Sequence, residues 1–404
     1  MPALATLQEY EQLATGRAAS CFSEAVDAHR DALREAIAGK RVAIIGAAGS
    51  IGFSVVKCFL EFQPGALSLI DLSENNLVEV VRELRSSANL AIPEDFAALP
   101  IGLGSAECIR YFAEMKPFDY ILNLSAIKHV RSEKDIYCLM RMIDTNVTFP
   151  SQFLEALPYS FTKFFSVSSD KATNPANLMG ASKRVMEKVL LYHSDRQPFS
   201  SARFANVAFS DGSLPHGFLR RLEKRQPLSA PNDVKRYFIS HEEAGQICLL
   251  SCVLGHNREI LFPRMEEGLD EKTFSEIAEA FLERSGLEPV HCDSEDEARS
   301  RASELIPQGK WPCYYFQSET TGEKAYEEFY TEQDEVRFDR FANIGSITLE
   351  NDPADRVRVE NFMDFARGAS QRPGILKADY VRAFLEAVPE LEHEEKAKSL
   401  DQRM

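Results

Sequence analysis

Residues 41–52 are Arg-Val-Ala-Ile-Ile-Gly-Ala-Ala-Gly-Ser-Ile-Gly, a short β-branched run followed by a glycine-rich turn. The spacing G-x-x-G-x-x-G is typical of a turn that joins a strand to a helix around a dinucleotide. Such a turn needs glycine for its tight bend, for the approach of backbone to pyrophosphate and for close helix–strand packing. The N–H groups at the helix N-terminus then bind the anion. We therefore predict these cofactor-binding residues: Gly46, Ala48, Gly49, Ser50, Ile51 and Gly52.

Asp71 lies at the end of the next predicted strand, nineteen residues beyond Gly52. A carboxylate at this position accepts hydrogen bonds from the adenosine ribose and excludes a 2′-phosphate. No arginine follows Asp71 within residues 72–75. We therefore predict that Asp71 binds the cofactor and that the cofactor is NAD. NADP is the less favoured alternative, since a lysine or arginine from elsewhere in the chain could reach a 2′-phosphate.

Strands and helices alternate from residue 40 to about residue 210. Apolar runs at 66–70, 118–124, 161–167 and 201–207 are separated by helical stretches such as 75–88 and 181–192. This alternation predicts an α/β fold, a Rossmann-type doubly wound parallel sheet followed by a smaller mixed C-terminal substrate domain. The predicted divisions are a helical extension at 1–39, an NAD-binding Rossmann domain at 40–210, a substrate-binding region with an insertion at 211–350, and a helical tail at 351–404.

The composition narrows the class of protein. The 404 residues include 46 Lys or Arg and 62 Asp or Glu, a net charge of −16, which disfavours nucleic acid or an anionic membrane as main partner. No apolar run approaches the roughly 20 residues that span a bilayer. The N-terminus lacks the basic start and apolar block of a secretory signal. We expect a cytoplasmic protein.

The eight cysteines are spread along the chain without C-x-x-C pairs. Cys248 and Cys252 are four residues apart, as on one face of a helix. This usage is typical of reduced cysteines that pack in a core. We predict neither a disulfide framework nor a metal site.

Two polar segments follow the fourth and fifth predicted strands. Lys128 and His129 come after one strand, and Ser169-Asp170-Lys171 comes after the other. Met179 and Lys183 begin the next helix and lie on one of its faces. In an open parallel sheet, ligands bind outside the carboxyl ends of the strands. We therefore expect all of these side chains at one site.

Together these motifs make the chain resemble an extended short-chain dehydrogenase/reductase, specifically the nucleotide-sugar 4,6-dehydratases that act on UDP-N-acetylglucosamine in bacterial polysaccharide and flagellin-glycan synthesis. The resemblance covers about residues 40–330. It rests on the following segments: Gly46–Gly52, Ser125–Val130, Thr145–Val147, Ser169–Ala172 with Asn174-Pro175, Met179–Arg184, Arg203–Val207, Arg236–Phe238 and Gly322–Lys324.

Most short-chain dehydrogenases have a catalytic tyrosine where this chain has Met179, and one branch of the dehydratases is similar to this sequence in having methionine. The resemblance implies that Ser169, Asp170, Lys171 and Lys183 are catalytic. Ser169, backed by Lys183, would relay the C4 hydroxyl proton, Lys171 would take the C5 proton, and Asp170 would protonate the departing C6 hydroxyl.

The resemblance also implies binding residues. Ser125, Ala126, Lys128 and Lys183 would join the glycine turn and Asp71 in binding the cofactor. The substrate-binding residues would be Lys128, His129, Met179, Asn206, Ser210, Arg236 and Glu323. Asp211 departs from the pattern, since this loop commonly has an arginine there. We expect Lys128, Lys171, Lys183 and Arg236 to form a basic pocket for the nucleotide sugar.

Several alternatives stay open at this stage. UDP-N-acetylglucosamine is the favoured substrate, and GDP-N-acetylglucosamine is its rival. A related nucleotide-sugar epimerase or reductase is a second possibility, although an epimerase would be expected to keep the tyrosine. A non-enzymatic NAD-binding protein with a silenced site is the least favoured. The resemblance also suggests a homo-oligomer that makes a 4-keto-6-deoxy sugar.

Overall fold

The strand–helix alternation between residues 41 and 204 forms a parallel sheet, as predicted. The computed structural model describes residues 5–265, 271–318 and 327–393. The strands are β1 (Arg41–Ile45), β2 (Ala66–Ile70), β3 (Asp95–Leu99), β4 (Tyr120–Asn123), β5 (Lys163–Ser169), β6 (Phe199–Phe204), β7 (Asn206–Val207), β8 (Leu228–Pro231), β9 (Lys235–Ile239), β10 (Glu259–Pro263), β11 (Glu271–Thr273), β12 (Glu288–Cys292), β13 (Lys310–Phe316), β14 (Arg337–Phe341) and β15 (Ile344–Thr348).

Helices cover both faces of this sheet. They are α1 (Leu7–Thr15), α2 (Ser23–Ala28), α3 (Arg30–Ile37), α4 (Ser50–Leu60), α5 (Glu74–Ser86), α6 (Ala106–Glu114), α7 (Ile136–Ile143), α8 (Phe149–Ala156), α9 (Leu178–His193), α10 (Leu214–Glu223), α11 (His241–Leu254), α12 (Phe274–Arg284), α13 (Glu295–Leu305), α14 (Pro353–Ala369) and α15 (Lys377–Ala387). No helix in the described ranges is both long and apolar enough to cross a bilayer.

The large sheet has nine strands in the order β14-β15-β10-β6-β5-β4-β1-β2-β3. Strands β1 to β6 lie side by side in the order β3-β2-β1-β4-β5-β6, which is the 3-2-1-4-5-6 order of a doubly wound sheet. β10 extends this sheet in parallel next to β6. β15 and β14 complete the edge in antiparallel pairing. All five residues of β2 are buried, as expected for a strand covered on both faces. The predicted Rossmann-type fold class is confirmed.

Segments beyond the Rossmann pattern build two smaller sheets. β12, β13 and β8 form a parallel sheet in which the helix α13 connects β12 to β13. Residues 288–316, within the predicted substrate-binding region, therefore form a βαβ unit. β11, β9 and β7 form the other sheet, which continues directly from the end of β6. Every strand of the two small sheets comes after β6, which ends at Phe204.

The two terminal extensions pack on different parts of the molecule. The Tyr10 ring of α1 packs at a tilt against the rings of Phe281 and Phe209, with centroid distances of 4.8 and 5.7 Å. Helices α14 and α15 share an apolar cluster with α9, in which Phe362 and Phe384 are buried. The N-terminal extension thus supports the 209–213 loop region, and the described part of the tail covers α9.

A buried ion pair joins the elements that end near the carboxyl edge of the sheet. Arg203 of β6 and Glu187 of α9 are both almost fully buried, and the guanidinium binds the carboxylate through two contacts of 2.7 and 2.8 Å. Arg203 also donates to Thr173 Oγ1 at 3.0 Å and to the Phe329 carbonyl at 2.7 Å. Burial would raise the pKa of Glu187, but Arg203 holds it below its ordinary value.

We expect Glu187→Met to lower the free energy of unfolding by about 3–5 kcal/mol, because it leaves Arg203 buried without its counter-ion. The double variant Arg203→Met/Glu187→Met should lose markedly less than the sum of the two single variants, since neither charge is then stranded. Urea unfolding of all three variants measures this. The exposed Arg356–Glu360 pair is the control and should change stability by less than about 1 kcal/mol. Additive losses at Arg203 and Glu187 would contradict the expectation.

Candidate functional site

The glycine turn lies between β1 and α4, where the sequence predicted it. A Cβ atom on Gly52 would lie 2.0 Å from the carbonyl oxygen of Gly46, so only glycine allows the helix to pack this closely on the turn. A Cβ atom on Gly49 would meet only that same oxygen, at an ordinary 3.6 Å. The N-terminus of α4 begins at Ser50, directly after Gly49. The turn therefore presents helix N–H groups at the carboxyl edge of the sheet.

Asp71 follows the last residue of β2 and braces this turn. Its Oδ2 accepts a hydrogen bond from the Ala48 N–H at 3.0 Å. Its Oδ1 accepts one from the Ser73 N–H at 2.8 Å. The carboxylate is partly exposed and stands beside the predicted cofactor-binding residues. Asp71 thus has a bracing contact that the sequence did not predict.

The segment after β4 is held by an asparagine from a distorted helix. A π-helical turn at Asp144–Thr148 separates α7 from α8. Within this turn, Asn146 exchanges two hydrogen bonds with the Ile127 backbone, at 2.9 and 3.0 Å, and donates to Ser182 Oγ at 2.9 Å. Such turns occur often at functional sites. Asn146 fixes the segment containing Ser125, Ala126, Lys128 and His129 against α9.

Lys128 and His129 point toward the loop that follows β7. Lys128 Nζ lies 3.5 Å from the buried Ser210 Oγ. Burial of the ammonium lowers the pKa of Lys128, although the residue as a whole is exposed, and the Asp211 charge opposes this shift. Burial and the neighbouring Lys128 and Arg131 charges lower the pKa of His129. The loops after β4 and β7 therefore meet over the carboxyl edge of the sheet.

Ser169, Asp170 and Lys171 form a continuous hydrogen-bonded chain at the end of β5. Ser169 Oγ donates to Asp170 Oδ1 at 2.6 Å, and Lys171 Nζ reaches both carboxylate oxygens at 3.0 and 3.1 Å. Asp170 is buried, whereas the Lys171 side chain is about one third exposed, at 33%. The three groups can therefore exchange protons in series, with the lysine facing the solvent side.

Helix α9 packs directly on this segment. A Cβ atom on Gly180 would lie 2.2 Å from the Lys171 carbonyl oxygen, so the glycine permits the contact. Met179 is buried, and its N–H is 3.3 Å from the Glu133 carboxylate that caps the helix. Lys183 is also buried and donates to the Val167 carbonyl at 2.9 Å, two residues before Ser169. Burial lowers the pKa of Lys183 to about 8.

Glu327 is a site residue that the sequence did not reveal. Its buried carboxylate accepts hydrogen bonds from Asn206 Nδ2 at 3.0 Å and from the Tyr237 N–H at 3.3 Å, and Arg236 Nε lies 3.6 Å away. Burial and, to a lesser degree, the nearby Asp170 charge raise the pKa of Glu327 to about 7, against the lowering effect of Arg236 and Lys171. Glu327 therefore joins the predicted substrate-binding residues to the Asp170–Lys171 pair.

Asp211 connects the loop after β7 to the glycine turn. Its Oδ2 accepts a hydrogen bond from the Ser50 N–H at 3.1 Å, and its own N–H donates to Ser50 Oγ at 3.2 Å. From the sequence, Asp211 was only a departure from the family pattern, with no contact predicted. Only a folded structure brings residues 161 positions apart into this contact.

The structure thus brings most predicted residues together, but in two groups. One contains the glycine turn, Lys128, Ser210 and Asp211, and the other contains Asp170, Lys171, Asn206, Arg236 and Glu327. Glu323 lies outside the described residues, four positions before Glu327. Each of the four cations expected to form the basic pocket has a carboxylate in electrostatic contact. The pairs are Lys128–Asp211, Lys171–Asp170, Lys183–Glu187 and Arg236–Glu327.

Glu327 should make the stability of the protein fall as pH rises. An acid with a raised pKa binds its proton more tightly in the folded state, so its contribution declines from about pH 4.5 to about pH 7. Relative to Glu327→Gln, the unmodified protein should lose on the order of 3 kcal/mol across this range. Chemical unfolding at pH 5, 6, 7 and 8 measures the difference. The control is Glu332→Gln, at an exposed site. A pH dependence shared by Glu327→Gln and the unmodified protein would refute the shifted acid.

Comparisons with known proteins give the family of the chain. A family model described as polysaccharide biosynthesis protein matches residues 42–348. This range begins in β1 and ends with β15, so it includes every element that carries the site.

The curated relatives are distant. The uncharacterized membrane protein MJ1061 of Methanocaldococcus jannaschii is 28% identical over 302 residues, 73% of this chain and 81% of the relative. The probable polysaccharide biosynthesis protein EpsC of Bacillus subtilis is 30% identical over 57% of this chain, which spans only 39% of EpsC. The UDP-N-acetylglucosamine 4,6-dehydratase (inverting) of Campylobacter jejuni is 25% identical over 56% of this chain and 67% of the relative. A UDP-glucose 4-epimerase of Rickettsia bellii is 26% identical over 55% and 65%.

Two solved structures share the fold. Pen from Bacillus thuringiensis superposes with a TM-score of 0.61 at 21% identity, over 77% of this chain and 88% of Pen. The DesIV double mutant from Streptomyces venezuelae, a dTDP-glucose 4,6-dehydratase with NAD and DAU bound, gives a TM-score of 0.54 at 16% identity, over 83% and 98%. At these identities the likeness extends to the fold alone.

Proposed function

The chain belongs to the polysaccharide biosynthesis protein family, and we propose that it is a nucleotide-sugar 4,6-dehydratase of the short-chain dehydrogenase/reductase type. The observation that carries the proposal is the Ser169–Asp170–Lys171 chain at the end of β5. Dehydration needs both an acid for the leaving hydroxyl and a base for a carbon-bound proton. This segment offers one of each in direct contact.

The glycine turn and Asp71 fit a nicotinamide dinucleotide. The close packing at Gly52 places the N-terminus of α4 at the turn, where a diphosphate would bind, and the Asp71 carboxylate stands where an adenosine ribose is expected. Asp71 favours NAD over NADP. The chemistry that NAD supplies when bound is reversible hydride transfer, first with C4 and then with C6 of the sugar. Lys183 would hold the nicotinamide ribose, beside Ser125 and Ala126.

The proton released from the C4 hydroxyl has a direct route to Asp170. Ser169 Oγ takes that proton while it passes its own to Asp170 Oδ1 across the 2.6 Å hydrogen bond. Asp170 then holds the proton that the departing C6 hydroxyl needs to leave as water. The proton lost from the C4 hydroxyl thereby leaves with the C6 hydroxyl as part of the water molecule.

The same transfer prepares Lys171 as a base. Once Asp170 is protonated, the negative charge that stabilises the Lys171 ammonium is gone, so the amine can release its proton to solvent. The neutral amine takes the C5 proton, which the adjacent C4 ketone has made acidic, and returns it to C5 after the hydride reaches C6. The partial exposure of Lys171 supports exchange with solvent.

In this proposal the substrate binds through residues from both groups. Asn206, Ser210 and Arg236, with Lys128 and His129, would contact the nucleotide diphosphate and the sugar, and Met179 would pack on the sugar. UDP-N-acetylglucosamine is the favoured substrate, supported by the distant Campylobacter jejuni relative. GDP-N-acetylglucosamine is the alternative. A 4-epimerase is less well supported, although an epimerase is among the relatives, because epimerisation requires no acid such as Asp170.

We expect the purified protein to remove one water from UDP-N-acetylglucosamine without a reductant, since the hydride taken from C4 returns to C6. Mass spectrometry would detect the loss of 18 mass units, the mass of one water molecule, and GDP-N-acetylglucosamine should be tested in parallel. Water loss only from the GDP sugar would change the substrate. Isomerisation without water loss would favour an epimerase. No reaction of either sugar, with NAD supplied, would refute the proposed function.

Asp170→Asn and Lys171→Ala should each lower the rate of water loss by at least about a hundredfold, because general acid and base catalysis contribute factors of this size. Both variants should still bind NAD, since neither residue belongs to the glycine turn. Rates are followed by mass spectrometry and NAD binding by calorimetry. The matched control is Lys224→Ala, an exposed lysine at the end of α10 that should leave the rate unchanged. Full activity in both variants would contradict the assigned roles.

A further inference from the structure

The loop at 208–213 is held in a fixed position over the glycine turn. Phe209 has a left-handed backbone, with φ of 54°, which is costly for a bulky residue. Its ring is buried and packs against Tyr10 and Phe281, with centroids 5.7 and 6.0 Å apart. Burial of this aromatic ring stabilises the strained turn. Asp211 is therefore presented from an anchored loop.

Asp211 binds the end of α4 as an external cap. The Ser50 N–H donates to Asp211 Oδ2 at 3.1 Å, and the Asp211 N–H donates to Ser50 Oγ at 3.2 Å. Gly49 has no side chain and offers no cap of its own, so a residue 161 positions away in sequence supplies it. A carboxylate at a helix N-terminus satisfies a free N–H group and interacts favourably with the helix dipole.

The cation facing this carboxylate also belongs to the predicted cofactor site. The Asp211 charge raises the pKa of Lys128, against the effect of burial. His216 Nδ1 lies 3.9 Å from Asp211 Oδ1. A cofactor diphosphate at the N-terminus of α4 would require the same Ser50 N–H group and would meet the same positive charge. The Asp211 carboxylate and a diphosphate cannot both accept the Ser50 hydrogen bond, and two negative charges so close together repel each other.

We propose that the Asp211 carboxylate is a resident anion at the position of the cofactor diphosphate, and that the dinucleotide displaces it on binding. The inference rests on the proposed function, since it assumes a dinucleotide at the glycine turn. It deepens that function by making Asp211 a residue that sets cofactor affinity. The binding energy of the diphosphate is reduced by the contacts that Asp211 gives up. Retention of the cofactor is then weaker than the glycine turn alone would allow.

Asp211→Ala should bind NAD about tenfold more tightly than the unmodified protein, the factor expected from one lost capping interaction. Asp211→Asn should fall between the two, because it keeps an acceptor for the Ser50 N–H but loses the charge. Calorimetry with the full chain, freed of bound nucleotide, measures both. Asp364→Asn removes an exposed negative charge on α14 and is the control, with no change in affinity expected.

Two smaller probes distinguish displacement from a general opening of the loop. ADP carries the diphosphate and should gain the same factor as NAD in Asp211→Ala. Adenosine lacks the diphosphate and should gain nothing, as measured by competition with NAD. Equal gains for adenosine and ADP, or unchanged or weaker binding of NAD, would overturn the inference while leaving the proposed function intact. Absence of NAD binding in every variant would contradict the proposed function and the inference together.

Discussion

The arrangement of the catalytic edge depends on the buried pair formed by Arg203 and Glu187. The side chain of Arg203, at the end of β6, contacts three other parts of the chain. It binds Glu187 on α9, Thr173 in the segment that follows Asp170 and Lys171, and the carbonyl of Phe329. Glu187 in turn accepts a hydrogen bond from Ser168 at the end of β5. One ion pair therefore sets the positions of the Ser169–Lys171 chain on one side and of the stretch containing Glu327 on the other. Its desolvation is costly, and the several hydrogen bonds made by both charges offset that cost.

Pairing of opposite charges extends through the whole site. Four basic side chains line the proposed pocket, and a carboxylate lies in electrostatic contact with each of them. The charges of these four cations are therefore largely balanced locally, although the chain as a whole carries −16. A ligand diphosphate would compete with the internal carboxylates for these cations. Glu327, whose pKa is raised to about 7, can respond to such competition by taking up a proton near neutral pH.

The sequence predicted those parts of the site that depend on local spacing. Three such parts lie at the carboxyl ends of strands, where the sequence predicted them: the glycine turn after β1, Asp71 after β2, and Ser169-Asp170-Lys171 at the end of β5. They lie near one another because the carboxyl ends of parallel strands share one edge of the sheet. The contacts between distant segments could not be predicted. Asp211 contacts Ser50, and Glu327 contacts Asn206 and Tyr237. These contacts form because the pairing of β7 with β9 brings the later part of the chain back to the carboxyl edge of the large sheet. The hydrogen bond from Lys183 to the Val167 carbonyl was not predicted either.

The methionine at position 179 is consistent with this charge arrangement. Its side chain is buried, and the N–H groups of residues 178 and 179 are capped by the Glu133 carboxylate, so this end of α9 is ordered without a polar side chain at position 179. Methionine cannot carry a proton, and a relay at this edge has to run elsewhere. The hydrogen bonds of Ser169, Asp170 and Lys171 provide such a route within three consecutive residues, held against α9 by the close contact at Gly180. In the proposed mechanism, proton transfer therefore takes place at the end of the strand rather than on the helix, because the serine, the acid and the lysine are already connected there.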